Sequence, residues 1–229
     1  MTRIKICGLT NDEDVRLCTA AGAHALGFVV EYPIPVPWNL DRRRARELMG
    51  RVPPLVSRAI VVGDDPRIVV ELTEFLEPHV VQLHGNEPLS VTKNLVDTVK
   101  ALGVQVVKAL RFSVETGKCS SVSDNPLDAA RLIEDTGVDA LVLDSFSDAR
   151  PAGTGQSIDW TMARNICEIV RLPVILAGGL NSANVGQAVT AVHPYGVDVI
   201  SGVENPVGKK DPHKVRAFIE AVSGSSLKP

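Results

Sequence analysis

The sequence lacks the features of membrane proteins and of nucleic-acid-binding proteins. Its 229 residues include 24 Lys and Arg against 27 Asp and Glu, a net charge of −3, whereas a non-specific nucleic-acid surface needs an excess of positive charge. No apolar run approaches the roughly 18 residues of a transmembrane helix, and no basic and apolar leader precedes the first strand-like segment. These absences predict a soluble, cytoplasmic protein that binds neither nucleic acid nor a membrane.

Cysteine is scarce, and its spacing excludes two common uses. The four cysteines, Cys7, Cys18, Cys119 and Cys167, form no CxxC pair and have no histidine spaced to complete a zinc site. We therefore expect free thiols in a reducing compartment, no metal and no cofactor. A GxGxxG motif after the first strand is also missing, which argues against a dinucleotide-binding sheet.

Near the amino terminus, the stretch RIKICGLT has one apolar and one reactive face. Read with the two-residue period of a strand, Ile4 and Ile6 point one way, while Lys5 and Cys7 point the other. Cys7 then occupies the last inward-facing position of a first strand, where the loop to the first helix begins.

Strands and helices alternate along the rest of the chain. Short apolar runs predict further strands at 25–30, 55–62, 79–84, 105–110, 140–144, 173–177 and 197–201. Helices are predicted at 12–21, 41–50, 66–76, 87–102, 126–136, 158–170, 182–192 and 212–222. The segment 31–39 carries three alternating prolines, which predict a stiff, extended loop.

Eight strand-helix units of this length predict an α/β protein, a single (β/α)8 TIM barrel that spans residues 1–229 as one domain. An open, doubly wound sheet is the alternative architecture. In a barrel, the carboxyl-terminal ends of the strands surround the active site, so inward-facing residues at those ends are the candidates for chemistry.

Cys7 and Asp144 are the two candidate catalytic residues. On the sixth predicted strand Leu141 and Leu143 face the helices, so Asp144 points inward at the mouth of the barrel. A thiol and a carboxylate that enter one site from opposite sides suit acid and base catalysis. An aspartate at this position can also serve as a helix cap, and a buried cysteine as a small apolar residue.

Other polar side chains share the inward face. Gln82 and His84 on the fourth strand are candidate ligand-binding residues or satisfied lining residues. By the same parity Lys5, Lys108 and Asp198 are predicted to point into the barrel, and we expect them to form an internal ion-pair network.

Two glycine clusters predict a phosphate site. Gly178 and Gly179 end the seventh strand, and Ser201 with Gly202 ends the eighth. Glycine lets backbone N–H groups approach an anion, and the loops after strands seven and eight are the usual phosphate site of these barrels. We therefore expect a small phosphorylated substrate and chemistry without a metal.

Several motifs, in order, resemble phosphoribosylanthranilate isomerase of tryptophan biosynthesis. They are RIKICGLTN, VVQLHGNE, LVLDS, GTGQSIDW, VILAGGLNSANV and DVISGVE, and the resemblance runs from about Ile4 to Phe218. It implies an Amadori rearrangement of phosphoribosylanthranilate to the carboxyphenylamino-deoxyribulose phosphate. By that resemblance Cys7 is the general base at ribose C2 and Asp144 the general acid at the ring oxygen. It also implies a phosphate cradle built from Gly155, Gly178, Gly179, Ser201 and Gly202.

The sequence departs from that family after the second strand. The family usually carries an arginine there, in a Ser-x-Arg segment that helps to hold the anthranilate, whereas this chain has the proline-rich segment 31–39. The alternative cations are Arg42, Arg43, Arg58 and Arg111. Trp38 either stacks on the ring or covers the barrel mouth.

Two other functions remain open at this stage. One is a different phosphosugar isomerase, such as the aminoaldose isomerase of histidine biosynthesis, whose first strand ends in aspartate instead of Cys7. The other is a barrel that only binds a phosphorylated ligand, which has no use for both Cys7 and Asp144. The sequence is compatible with a monomer or a homodimer.

Overall fold

The computed structural model describes residues 1–113, 115–116, 118–119, 122–146 and 158–225. Within them, eight parallel strands alternate with eight helices. The strands are β1 (Arg3–Ile6), β2 (Ala25–Val30), β3 (Ser57–Val62), β4 (Val80–Leu83), β5 (Gln105–Ser113), β6 (Ala140–Phe146), β7 (Val174–Leu176) and β8 (Gly196–Val199). The helices are α1 (Asp12–Ala21), α2 (Arg42–Met49), α3 (Pro66–Leu76), α4 (Leu89–Ala101), α5 (Pro126–Glu134), α6 (Trp160–Ile169), α7 (Val185–Val192) and α8 (Pro212–Ser225). None of these helices is both long and apolar enough to cross a membrane.

The sheet closes on itself. Each strand pairs in parallel with the strands before and after it, and β1 pairs with both β2 and β8. The β1–β8 register aligns Lys5 with Asp198. A further two-residue strand, Asn39–Leu40, pairs only with the end of β2 and lies outside the barrel. The predicted (β/α)8 barrel is therefore confirmed, and the open doubly wound sheet is excluded.

Several strands end at other residues than the sequence predicts. The sequence predicts that β5 ends at Leu110 and β6 at Asp144, but the two strands pair residue by residue as far as Ser113 and Phe146. The eighth strand ends earlier than predicted, because the chain turns into a 3-10 helix at Ser201–Val203. The sheet edge that surrounds the mouth is therefore uneven.

Aspartate and asparagine side chains set the starts of the helices that follow the strands. Asn11, Asp41, Asp65 and Asp159 each accept hydrogen bonds from backbone N–H groups in the first turn of a helix. These groups have no partner within the helix, so the caps stabilise each helix start. The helices consequently begin soon after the loops that line the mouth.

The sheet separates two apolar layers. The outer layer combines strand residues such as Ile4 and Leu143 with helix residues such as Leu72 and Phe218. The inner layer contains strand residues and Ala177, which directly follows β7. Its buried members are Val107, Ala109, Ala140, Val142 and Ala177. This separation follows from the two-residue period of a strand, and it assigns a direction to every polar side chain of the sheet.

Lys108 does not point into the barrel, so that prediction was wrong. Its neighbours Val107 and Ala109 belong to the inner layer, which turns Lys108 toward the helices. There its ammonium lies 3.0 Å from the Glu87 carboxylate and donates a hydrogen bond to the Gly85 carbonyl at 2.7 Å. The inner ion pair consists of Lys5 and Asp198.

We expect Glu87→Ala to lower the free energy of unfolding by about 3–5 kcal/mol, because it leaves the buried Lys108 ammonium without its carboxylate. The two side chains are only 1% and 2% exposed, and burial already lowers the pKa of Lys108. Urea unfolding followed by circular dichroism measures the change. Asp97→Ala is the matched control, since Asp97 pairs with Lys93 in solvent and should cost no more than about 1 kcal/mol. Equal losses in the two variants would contradict the prediction.

Candidate active site

The carboxyl-terminal ends of the strands surround a pocket of about 720 Å³, counted out to open solvent. Eight residues predicted from the sequence line it: Cys7, Gln82, His84, Asp144, Gly178, Gly179, Ser201 and Gly202. The ninth, Gly155, lies outside the described residues. The pocket thus brings together both candidate catalytic residues and both glycine clusters.

Cys7 lies at the end of β1, beside the buried ion pair of Lys5 and Asp198. The Lys5 ammonium is 2.5 Å from Oδ2 of Asp198, and its positive charge also acts on the Cys7 thiol. Gly27 on β2 makes room for these side chains, because a Cβ there would come within 3.0 Å of Lys5 Cε and closer still to Cys7 Sγ. A glycine inside a strand often marks such a close approach.

Burial dominates the electrostatics of the thiol. Desolvation raises the pKa of Cys7, the positive charge of Lys5 opposes that rise, and the Asp198 carboxylate adds to it. Lys5 therefore favours the thiolate, as a base requires, but its effect is smaller than that of burial. Burial is the largest single influence on the pKa of Lys5 and lowers it, but Asp198 and Cys7 together raise that pKa by more, so Lys5 stays positively charged.

Asp144 sits at the opposite side of the mouth, near the end of β6. One carboxylate oxygen accepts a hydrogen bond from the Ser145 N–H at 2.8 Å, and the other lies 3.4 Å from Nε2 of His84. The second ring nitrogen of His84, Nδ1, is 3.2 Å from the side-chain amide of Gln82. The three side chains form a chain of polar contacts that holds the Asp144 carboxylate at the pocket wall.

The two glycine clusters form one wall through close backbone contacts. Gly178 and Gly179 both adopt left-handed backbone conformations, with φ of 76° and 61°, which glycine tolerates best. A Cβ at Gly178 would lie 2.7 Å from the Ser145 hydroxyl oxygen, and one at Gly202 would collide with the Leu180 carbonyl. This wall therefore exposes backbone instead of side chains.

The proline-rich loop forms an apolar wall of the pocket. Tyr32 and Trp38 are buried there and, with the strand residues Val29 and Val61, pack around Cys7. The Trp38 indole N–H donates a hydrogen bond to Glu204 at 2.7 Å. Trp38 thus closes one side of the mouth and also presents its ring to the pocket.

Three of the four arginines proposed as cations face away from the pocket. Arg42 binds the Glu31 carboxylate, Arg43 is on the solvent side of α2, and Arg58 contacts His79 at the amino-terminal end of β3. Arg111 differs, because it lies on the inner face of β5 in register with Asp144. Its guanidinium is 5.1 Å from the centroid of the Phe146 ring.

Sequence reasoning missed part of the pocket wall. Tyr32 lies in a loop without periodicity, and its burial depends on a hydrogen bond from its hydroxyl to the His84 carbonyl at 3.0 Å. The sequence predicts that Asp198 points inward but does not predict that it lines the pocket. In the structure Asp198 does line the pocket. For Gly27 a signal existed, namely a glycine within an apolar strand.

The arrangement favours proton transfer. A thiol and a carboxylate face one pocket whose backbone-lined wall suits an anion and whose apolar wall suits an aromatic group. Within the described part of the chain, no three His, Cys, Asp or Glu side chains are grouped to hold a metal ion.

Comparison with known proteins gives a consistent match. The model of the family described as N-(5'-phosphoribosyl)anthranilate isomerase matches residues 4–221. The N-(5'-phosphoribosyl)anthranilate isomerase of Methanocella arvoryzae is 41% identical, with 97% of this chain and 98% of that protein covered.

Two solved structures share the fold over nearly the whole chain. One is a phosphoribosyl anthranilate isomerase in complex with reduced 1-(o-carboxyphenylamino)-1-deoxyribulose 5-phosphate, with a TM-score of 0.76, 31% identity and coverage of 98% of this chain and 100% of that one. The other is a monomeric form of the dimeric enzyme from Thermotoga maritima, with a TM-score of 0.77, 29% identity and the same coverage.

We expect the Cys7 thiol to ionise above the usual value of about 8.5, because burial disfavours the thiolate. The measurement is the thiolate absorbance at 240 nm against pH, taken as the difference between the wild type and Cys7→Ala. Lys5→Met should move the midpoint further upward, since it removes the positive charge that favours the thiolate. A midpoint below 8.5, or a downward movement in Lys5→Met, would contradict this account.

Proposed function

Since the chain belongs to the N-(5'-phosphoribosyl)anthranilate isomerase family, we propose that its pocket rearranges the substrate with Cys7 as general base and Asp144 as general acid. The protein is an isomerase of tryptophan biosynthesis that acts on a phosphorylated sugar derivative. Its reaction converts phosphoribosylanthranilate into 1-(2-carboxyphenylamino)-1-deoxyribulose 5-phosphate, an Amadori rearrangement. The observation that carries the catalytic assignment is the presence of Cys7 and Asp144 on opposite sides of one pocket.

Asp144 and Cys7 carry out the first two proton transfers of the proposed mechanism. Asp144 donates a proton to the ring oxygen, and the furanose opens to a protonated Schiff base. The Cys7 thiolate then removes the proton from C2, and the C2–H electron pair forms the C1–C2 double bond while the electrons of the C1–N double bond return to nitrogen. Proton transfer to C1 and loss of the C2 hydroxyl proton complete the ketone. Because burial raises the pKa of Cys7, only a small fraction of the enzyme carries the reactive thiolate at neutral pH.

The two walls orient the substrate in this proposal. The phosphate lies against the backbone of Gly178, Gly179, Ser201 and Gly202, and Gly155 remains a predicted member of this cradle. The aromatic ring packs against the apolar wall that contains Trp38. The C2 carbon then lies between the walls, where Cys7 is placed. His84 serves this site through its contact with Asp144, and Gln82 through its contact with His84.

Arg111 is the cation that we assign to the anthranilate carboxylate. No Lys or Arg is among the described residues that line the pocket, so the charge has to come from just behind its wall. Arg111 is near enough to Tyr32 to lower the pKa of that hydroxyl, although burial raises it more. Through the Tyr32 side of the pocket its positive charge can reach a carboxylate on the aromatic ring.

We also propose that the protein is a homodimer that associates through the amino-terminal end of the barrel. The similar Thermotoga maritima enzyme is dimeric. In this chain Leu55 is fully exposed in the loop before β3, with a left-handed φ of 71°. Leu55 and the half-exposed Tyr195 border a cavity at that end of the barrel. A second copy placed there would remove Leu55 from water.

The remaining expectations from composition stay predictions. They are a cytoplasmic location, the absence of a nucleic-acid partner and the organisation of residues 1–229 as one domain. The mechanism above depends on none of them.

Cys7→Ala and Asp144→Asn should each lower kcat for phosphoribosylanthranilate by about 10²-fold or more, because each removes one proton-transfer group. The assay follows the loss of substrate fluorescence with freshly prepared substrate. Cys167→Ala is the matched control, since that thiol lies on α6 away from the pocket, and it should retain full turnover. Unchanged turnover in both site variants would refute the catalytic assignment.

Leu55→Glu should convert the dimer into monomers, because it places a charge in the proposed apolar interface. Sedimentation velocity at several protein concentrations measures the state. Leu132→Glu makes the same change at an exposed position on α5 and should leave the dimer intact. A wild type that sediments as a monomer at all concentrations would exclude the dimer.

A further inference from the structure

The inner ion pair of the barrel leaves one carboxylate oxygen without a partner. Lys5 binds Oδ2 of Asp198, and the side chains are 9% and 6% exposed. The other oxygen, Oδ1, is fully buried and has no hydrogen-bond partner among the described residues. A buried acceptor of this kind costs free energy. Asp198 lines the active-site pocket, so a bound ligand is the group placed to satisfy it.

We propose that Oδ1 of Asp198 accepts a hydrogen bond from the C2 hydroxyl of the substrate sugar, which makes Asp198 a substrate-binding catalytic residue. This inference rests on the proposed function and extends it by one residue. It assigns Asp198 as the partner of the C2 hydroxyl. Because C2 is the carbon that Cys7 deprotonates, it also places that carbon beside the thiol.

The position of Asp198 relative to Cys7 selects this hydroxyl. Lys5 is ion-paired with Asp198, and the register of β1 with β8 aligns the two residues. Lys5 is also close to Cys7, because a Cβ at Gly27 would touch both Lys5 Cε and Cys7 Sγ. A group that Cys7 can deprotonate therefore lies within the immediate surroundings of Asp198. Cys7, Asp198 and the glycine wall proposed for the phosphate line the same pocket, so a sugar phosphate bound there lies beside this pair.

Lys5 has a positioning role in this proposal. Its ammonium holds one oxygen of Asp198 and leaves the other oxygen of the carboxylate as the acceptor for the C2 hydroxyl. A hydrogen bond to a charged acceptor also polarises the C2 hydroxyl, whose proton is lost when the ketone forms. The rest of the inner layer is small and apolar, and such surroundings strengthen a charged contact.

A binding cycle tests the contact directly. Isothermal titration calorimetry compares the wild type and Asp198→Asn with two ligands: reduced 1-(o-carboxyphenylamino)-1-deoxyribulose 5-phosphate and the same compound without its C2 hydroxyl. We expect Asp198→Asn to weaken binding of the first ligand by about 10- to 100-fold. It should change binding of the deoxy ligand by less than about threefold, because the partner hydroxyl is absent.

A second experiment separates substrate contact from structural support. In Lys5→Met/Asp198→Leu, apolar side chains of similar volume replace the ion pair, a change that often preserves or improves stability. We expect this variant to unfold at the wild-type urea concentration or above it, yet to lose kcat/KM by about 10²-fold or more. Asp139→Asn, which alters an ion pair with Lys100 at the opposite end of the barrel, should leave turnover unchanged.

The outcomes are distinct. If Asp198→Asn weakens both ligands equally, or if the double variant keeps kcat/KM within about threefold of the wild type, the role of Asp198 is refuted while the isomerase function stands. If the wild type itself does not convert phosphoribosylanthranilate, the proposed function fails, and this inference fails with it. Selective weakening of the hydroxylated ligand supports the contact.

Discussion

The closed parallel sheet is the constraint on which the rest of this structure depends. Parallel strands that close into a ring place all their carboxyl-terminal ends at one rim, and the two-residue period allows only alternate side chains to face inward. Pairing of β1 with β8 completes that ring and brings Lys5 against Asp198. Without closure, Cys7 and Asp144 would lie at distant positions of an open sheet and would not share a pocket.

Burial sets the chemistry at that rim. The same low-dielectric surroundings that strengthen the Lys5–Asp198 contact also raise the pKa of Cys7. A protonated thiol cannot act as a base, but the thiolate of a cysteine with a raised pKa is more basic than a cysteine thiolate in water. The positive charge of Lys5 opposes this rise in the pKa of Cys7.

Glycine and proline divide the pocket into two unlike walls. At Gly178 and Gly202 a side chain would collide with neighbouring groups, so the wall there consists of backbone. At the other wall, the alternating prolines of the segment after β2 prevent a helix, and Tyr32 and Trp38 of this segment are buried and line the pocket. A phosphorylated aromatic amine has one end suited to each wall.

Local pattern alone was enough to predict the barrel, the order of its elements and most of the pocket, because each strand carries its own alternation and the ends of parallel strands must meet. For that reason the sequence alone predicts that Cys7, Asp144, His84 and the glycine clusters lie at the pocket. The alternation of a strand does not say which of its two sets of side chains faces inward, and for Lys108 on β5 the predicted direction was wrong. Tertiary structure alone decided the partners: Lys108 with Glu87, Trp38 with Glu204, and Asp198 with one oxygen bound and the other left toward the pocket. Partners of this kind come from distant parts of the chain, and only packing brings them within hydrogen-bonding distance.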